Sequence, residues 1–193
     1  MAALHKFLPE DDGRALMTVA EYLRLCEQTG LPYEYLHGRV YLMAGSKPRH
    51  SRIVVNTIRT LEDALGSDGP CYVYGPDARV QVAEDVIFLT DVTVSCEESD
   101  EDADMIYQPK VVVEVFSQST EEYDRGHKLL HYMECPSIQA IIFVDSKRKL
   151  VTVDQKFSGK WEHWPYYTGG VIPLSCLDVE IPVDAIYHNI PVV

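Results

Sequence analysis

The stretch Lys110-Val111-Val112-Val113-Glu114-Val115-Phe116 sets one carboxylate inside an otherwise apolar run. Near-continuous valines predict a central strand covered on both faces. Strand alternation puts Glu114 on the face of Val112 and Phe116, with Val111, Val113 and Val115 on the other. A carboxylate left alone there would cost on the order of several kcal/mol or take up a proton. Three compensators are at hand: Asp91 in Ile87-Phe88-Leu89-Thr90-Asp91-Val92-Thr93-Val94, the ammonium of Lys128, and a cation that two acids could share.

Working outward, the chain of 193 residues, 46% of them hydrophobic, is expected to form a single domain over 1–193, with a core over about 17–155 and a strand-rich extension over 156–193. Thr18 and Glu21 have capping-box spacing ahead of a first helix that Gly30 and Pro32 stop. Tyr33 to Leu36 and Arg39 to Met43 flank His37-Gly38 as a hairpin. A second helix is expected from near His50 or Ser51 to Gly66, carrying Arg52 and Arg59 outward. Strands follow at 71–74, 79–83 and 86–94, then an acidic loop, the central strand, and a helix of about Glu121 to Glu134 that Pro136 ends. Ile138 to Val144 and Leu150 to Val153 read as a buried strand and an amphipathic outer one, with short strands beyond Trp161. The class is α/β: a mixed central sheet flanked by helices, with an N-terminal helix and hairpin.

The five cysteines are odd in number and scattered, so neither a disulfide framework nor a zinc site is expected. Met1 to Met17 lacks the apolar run of a secretory signal and no segment is long enough to span a bilayer, so the expectation is cytoplasmic, with no membrane. The net charge of -13 argues against tight nonspecific grip on nucleic acid. The acidic run from Glu97 to Asp104 supplies much of the excess, while Lys47, Arg49, His50, Arg52 and Arg59 form a local basic segment.

If Asp91 faces Glu114 from an adjacent strand, the two repel unless one is protonated or a divalent cation sits between them. Carboxylates, a backbone carbonyl near Val115 or Phe116 and water suit Mg²⁺, and the absence of His and Cys argues against zinc. Glu34, embedded among aromatics, could add a ligand. Each residue also has a quieter structural reading: a buried ion pair for Glu114, an i,i+4 pair with Asp124 for Lys128, an exposed hairpin position for Glu34.

Glu34 within Tyr33 to Val40, His50 opening a helix, Asp91-Val92-Thr93-Val94, Pro109 to Ser117, Ser119-Thr120 and Asp124 through Lys128 to Tyr132 together resemble the PD-(D/E)XK nuclease superfamily. Within it the pattern is most similar to the small bacterial Uma-type, restriction-endonuclease-like family of unknown function. The resemblance runs from about Met17 to Lys149. Thr90 stands where the superfamily has a proline and Phe116 where it has a lysine, and Lys128 on the following helix fits that lost lysine.

The resemblance implies a metal-dependent endonuclease that hydrolyses nucleic-acid phosphodiester bonds, with DNA the expected substrate. Asp91, Glu114 and the Val115 carbonyl would hold Mg²⁺, or Mn²⁺ in its place. Lys128 would orient water, Glu34 would support the site, and His50, Arg52 and Arg59 would meet the nucleic acid. A homodimer is compatible by analogy with nucleases that cut two strands. The competing reading is an inactive nuclease fold acting as a binding or interaction module, supported by the acidic charge and the Trp161, Trp164, Tyr166, Tyr167 cluster.

Overall fold

The computed structural model describes residues 15–97, 103–116 and 123–191, with the backbone alone at 123 and 124. Most of the acidic run, the Ser117 to Thr120 segment, the expected helix start at Glu121 and the Asp124 carboxylate lie outside the described residues.

Helix α1 spans Val19–Thr29, and its reciprocal Thr18–Glu21 capping box is formed. Gly30 ends it in the left-handed region at φ 62°. Strands β1 (Tyr33–Leu36) and β2 (Arg39–Leu42) turn through His37 at φ 49° and Gly38 at φ 84°. Two successive positive φ values are what a two-residue hairpin turn demands. A Cβ on Gly38 would stand 2.8 Å from that of Leu16, so glycine is doubly required there.

Helix α2 runs Pro48–Leu65, two residues earlier than expected, because Pro48 is at home in a first turn where no N–H partner is needed. It buries Ile53, Val54, Thr57, Thr60 and Leu61, a helical repeat that leaves Arg52 and Arg59 exposed. Then come β3 (Tyr72–Tyr74), β4 (Arg79–Ala83), β5 (Val86–Leu89), β6 (Val92–Ser95) and β7 (Pro109–Phe116). A π-helical turn over Tyr123–Lys128 leads into α3 (Leu129–Glu134). The chain continues through β8 (Ala140–Asp145), β9 (Leu150–Phe157), β10 (Lys160–Tyr167), β11 (Val171–Leu174), β12 (Val179–Pro182) and α4 (Val183–Ile186).

Among the described residues the large sheet has the order β10-β9-β8-β7-β6-β3, parallel only between β7 and β8, and a smaller antiparallel sheet has the order β2-β1-β5-β4. The expected mixed α/β sheet is therefore what forms. Val111, Val113 and Val115 pack toward α2, α4 and the β11–β12 hairpin. Val112 and Phe116 pack toward the small sheet and Tyr132 of α3. Helix α1 covers the outer side of the small sheet through Tyr22 and Cys26 against Tyr35 and Ile87. Side chains of this size contribute about 1.5–3 kcal/mol each when fully buried.

Four expectations need correction. The segment 86–94 is not one strand: β5 joins the small sheet and β6 the large one, with Thr90 and Asp91 at the corner. The helix before Pro136 opens as a π turn over its described part, which rotates the side chains that precede α3. Strand β9 is buried and longer than expected, because β10 pairs along its whole length and takes the outer position, leaving Trp164 and Tyr167 exposed. And Cys71 is joined to Cys96 by a disulfide, since the antiparallel β3–β6 register, continued one residue, sets them opposite one another. No helix among the described residues is long and apolar enough to cross a membrane.

Two predictions follow from covalent and titratable features of the core. The disulfide spans a sequence separation of 25; by loop entropy that is worth about 3.5 kcal/mol. Urea unfolding with and without reductant should differ by about that much, and coincident curves would show that the bond adds nothing. Burial raises the phenols of Tyr22 and Tyr187 above their ordinary value. These groups keep their protons where an unfolded chain would lose them. Their contribution is thus complete below about pH 10 and is lost as pH rises through the folded values. Phenolate absorbance rising together with unfolding is the expected record; free titration of all tyrosines in a folded protein would contradict it.

Candidate active site

Glu34 lies on β1, whose alternation turns Tyr33 and Tyr35 toward α1 and Glu34 and Leu36 toward the large sheet. It is fully buried rather than exposed on its hairpin. Across the layer, Glu114 projects from β7 on the face of Val112, as alternation requires, and is also buried. Between the two stands the ammonium of Lys128, 2% exposed, at 2.7 Å from Glu34 Oε1 and 3.1 Å from Glu114 Oε1. It also donates to the Leu89 carbonyl at 3.3 Å. Lys128 has three donors, and these contacts engage all of them.

Backbone and side chains at the end of β5 complete the clasp. The Leu89 N–H donates to Glu34 Oε1 at 3.1 Å, so one residue binds both the acid and the base through its main chain. Tyr132, one turn beyond Lys128 and wholly buried, donates its hydroxyl to Glu114 Oε1 at 2.5 Å. Burial first, then the nearby Glu114 charge, pushes the Tyr132 phenol well above its usual value, with Lys128 opposing, so the group stays a donor. The Phe88 ring floors the pocket, 5.3 Å from Lys128 Nζ and edge-on to Tyr132.

Asp91 occupies the corner between the sheets. Val92 pairs with Val113, so one further step along the same register sets Asp91 opposite Glu114. Its Oδ2 accepts the Val115 N–H at 2.7 Å and lies 3.1 Å from His50 Nε2. The side chain replaces the ladder partner that Val115 loses where β6 begins, a local reason for the strand break. Thr90, in the place of the superfamily's proline, bonds Thr93 across the same corner, hydroxyl to hydroxyl.

The structure thus brings Glu34, Glu114 and Lys128 into one cluster, with Asp91, Val115 and His50 beside it. His50 meets this group through Asp91. Arg52 and Arg59 stand on the exposed face of α2. Sequence reasoning had Tyr132 in the pattern of resemblance but gave it no role, and it missed the Leu89 main chain. The first had a legible signal, a tyrosine four residues after Lys128 on one helix face; the second, being backbone, had none.

Among the described residues no three His, Cys, Asp or Glu side chains form a ready-made metal cage. A Mg²⁺ ion needs none, since it is commonly held by one or two carboxylates with water and phosphate. Asp91 is partly open to solvent, and its Oδ1 meets no donor among the described residues, both contacts falling on Oδ2. The buried Glu34 and Glu114 share one ammonium, so with Asp91 the carboxylates outnumber the lysine. Donor type and charge fit a hard dication.

Residues 19–184 match the Uma2 family, whose description is Putative restriction endonuclease. Two proteins of Synechocystis sp. are similar: uncharacterized protein slr1290, 31% identical over 173 residues, 88% of this chain and 90% of that one, and uncharacterized protein sll1609, 30% identical over 134 residues, 67% of this chain and 75% of that one. The crystal structure of a putative nuclease from Anabaena variabilis matches with a TM-score of 0.72 at 17% identity, covering 89% of this chain and 97% of that one. At that identity the likeness is one of fold. Restriction-endonuclease-like proteins generally use a divalent metal. The chain belongs to the Uma2 family, and its sheet is restriction-endonuclease-like.

Proposed function

We propose that this chain is a Mg²⁺-dependent endonuclease, with Mn²⁺ able to substitute, that hydrolyses phosphodiester bonds in nucleic acid, DNA in the first place. The observation that carries the reading is the placement of Asp91 opposite Glu114 at a strand corner, beside an ammonium held in a water-poor layer. Asp91 and Glu114 would hold the cation with help from the Val115 main chain. When bound, the dication draws charge from the scissile phosphate and acidifies water at the site.

The protein's own groups do the rest. Lys128 holds a fixed positive charge near the reacting phosphate, where low dielectric magnifies its effect. Because all its donors are engaged, it orients water only by releasing a contact, and the 3.3 Å bond to Leu89 is the longest of the three. Glu34 holds that ammonium in place. His50 steadies Asp91. The exposed Arg52 and Arg59 would meet the phosphate backbone away from the cut, fixing register without reading sequence.

A second reading, an inactive nuclease fold used as an interaction module, draws on the net charge of -13 and on Trp164 and Tyr167, 51% and 61% exposed on the edge strand β10. Calorimetry with Mg²⁺ or Mn²⁺ separates the two, because a module of that kind has no need of a divalent site.

Asp91→Ala and Glu114→Ala should each abolish Mg²⁺-dependent cleavage of DNA while leaving the folded circular dichroism spectrum; cleavage persisting in either would refute the assignment. Lys128→Met should cost about 3–5 kcal/mol in chemical unfolding, since it strands two buried carboxylates. A loss below about 1 kcal/mol, the usual worth of an exposed pair, would mean that the ammonium is not their counter-charge.

A further inference from the structure

We infer that Tyr132 is a positioning residue that sets the orientation of the Glu114 carboxylate for the divalent cation. The inference rests on the metal-dependent reading above and adds to it a residue which that reading does not use.

Tyr132 has no packing need for its hydroxyl. Its ring is wholly buried, edge-on to Phe88 at 5.6 Å, in a layer made mostly of valine and phenylalanine side chains. A phenylalanine would fill that space without having to satisfy a buried polar group. The hydroxyl is instead directed at Glu114 Oε1, the same oxygen that lies 3.1 Å from Lys128 Nζ.

Two donors on one carboxylate oxygen do different work. The Lys128 ammonium is a point charge shared with Glu34 and the Leu89 carbonyl, and a point charge leaves the carboxylate torsion loosely set. The phenol is directional, held on a short rigid ring from a helix that packs against the sheet. Together they fix both the position of Oε1 and the plane of the group. Without the phenol, Oε1 keeps the Lys128 contact but loses the directional donor that sets the plane of the group. Partners of this kind, one shell behind a ligand, typically change metal affinity by about 10–100-fold when removed.

The experiment is calorimetric titration of Mn²⁺ into the metal-free full chain, with thermal unfolding of each protein alongside. Tyr132→Phe should weaken Mn²⁺ binding by about 10-fold or more. Val113→Ala, which opens the opposite face of the same strand without touching Glu114, serves as a destabilised control and should keep the wild-type affinity. If Tyr132→Phe does not fold, Tyr132→Met fills the space without a donor and makes the same comparison.

A Tyr132→Phe protein that unfolds at a lower temperature yet binds Mn²⁺ like the wild type overturns the inference and leaves the metal reading standing. Equal weakening in Val113→Ala also overturns it, because the effect would then be general loosening of the sheet. Wild-type protein that takes up no Mn²⁺ removes the metal reading, and this inference with it.

Discussion

A lysine ammonium buried between two glutamates is a costly object, and the architecture around it reads as the means of keeping it. Removing such charges from water carries an effective penalty of several kcal/mol per ion, which mutual attraction offsets only when geometry is good and the remaining donors are satisfied. Here Lys128 meets Glu34, Glu114 and the Leu89 carbonyl, while Tyr132 and the Leu89 N–H satisfy the two acids. The contributors come from β1, the end of β5, β7 and the turn into α3. Only β7 and the turn into α3 are consecutive elements, so the cluster exists only once both sheets and the helix have docked.

This dependence explains why the small sheet is present. An apolar layer over Val112, Phe116 and Phe143 could have been a helix, whose main-chain groups away from its ends bond within it. A strand end is different: at Leu89 the β5 ladder stops, and its N–H and carbonyl turn to Glu34 and Lys128. One residue later the chain changes sheets, and Asp91 takes over the pairing of Val115. The strand break thus frees backbone to bind charge and also brings a carboxylate to the rim.

How much of this was legible follows from the kind of signal each part leaves. Glu114 in its run of valines announced a buried strand and its own face, because alternation is local. The α1 capping box and the His37-Gly38 turn were equally local. What escaped was decided at a distance. The break at Thr90 and Asp91 leaves only a weak mark in Val86 to Val94, where Asp91 is the one residue that strands disfavour; it is imposed by two sheets competing for the two halves. The outer position expected for Leu150 to Val153 goes instead to β10, which covers the edge of β9, while Arg125 bonds the Thr152 hydroxyl and His163 meets Asp154. Cys71 and Cys96 lie far apart in the chain and become neighbours only through β3–β6 register.

That last pair also bears on the order in which the site assembles. The disulfide closes the segment that holds β4, β5, Leu89 and Asp91, so it shortens the search by which the corner and its backbone donors find the large sheet. Strand β3 has only three residues and lies at the sheet's edge, where hydrogen bonds alone hold weakly. A covalent tie there anchors one end of β6, while the bond from the Val115 N–H to the Asp91 carboxylate anchors the other. With both ends held, the step from β5 to β6 stays where Glu34 and Glu114 can share a single lysine.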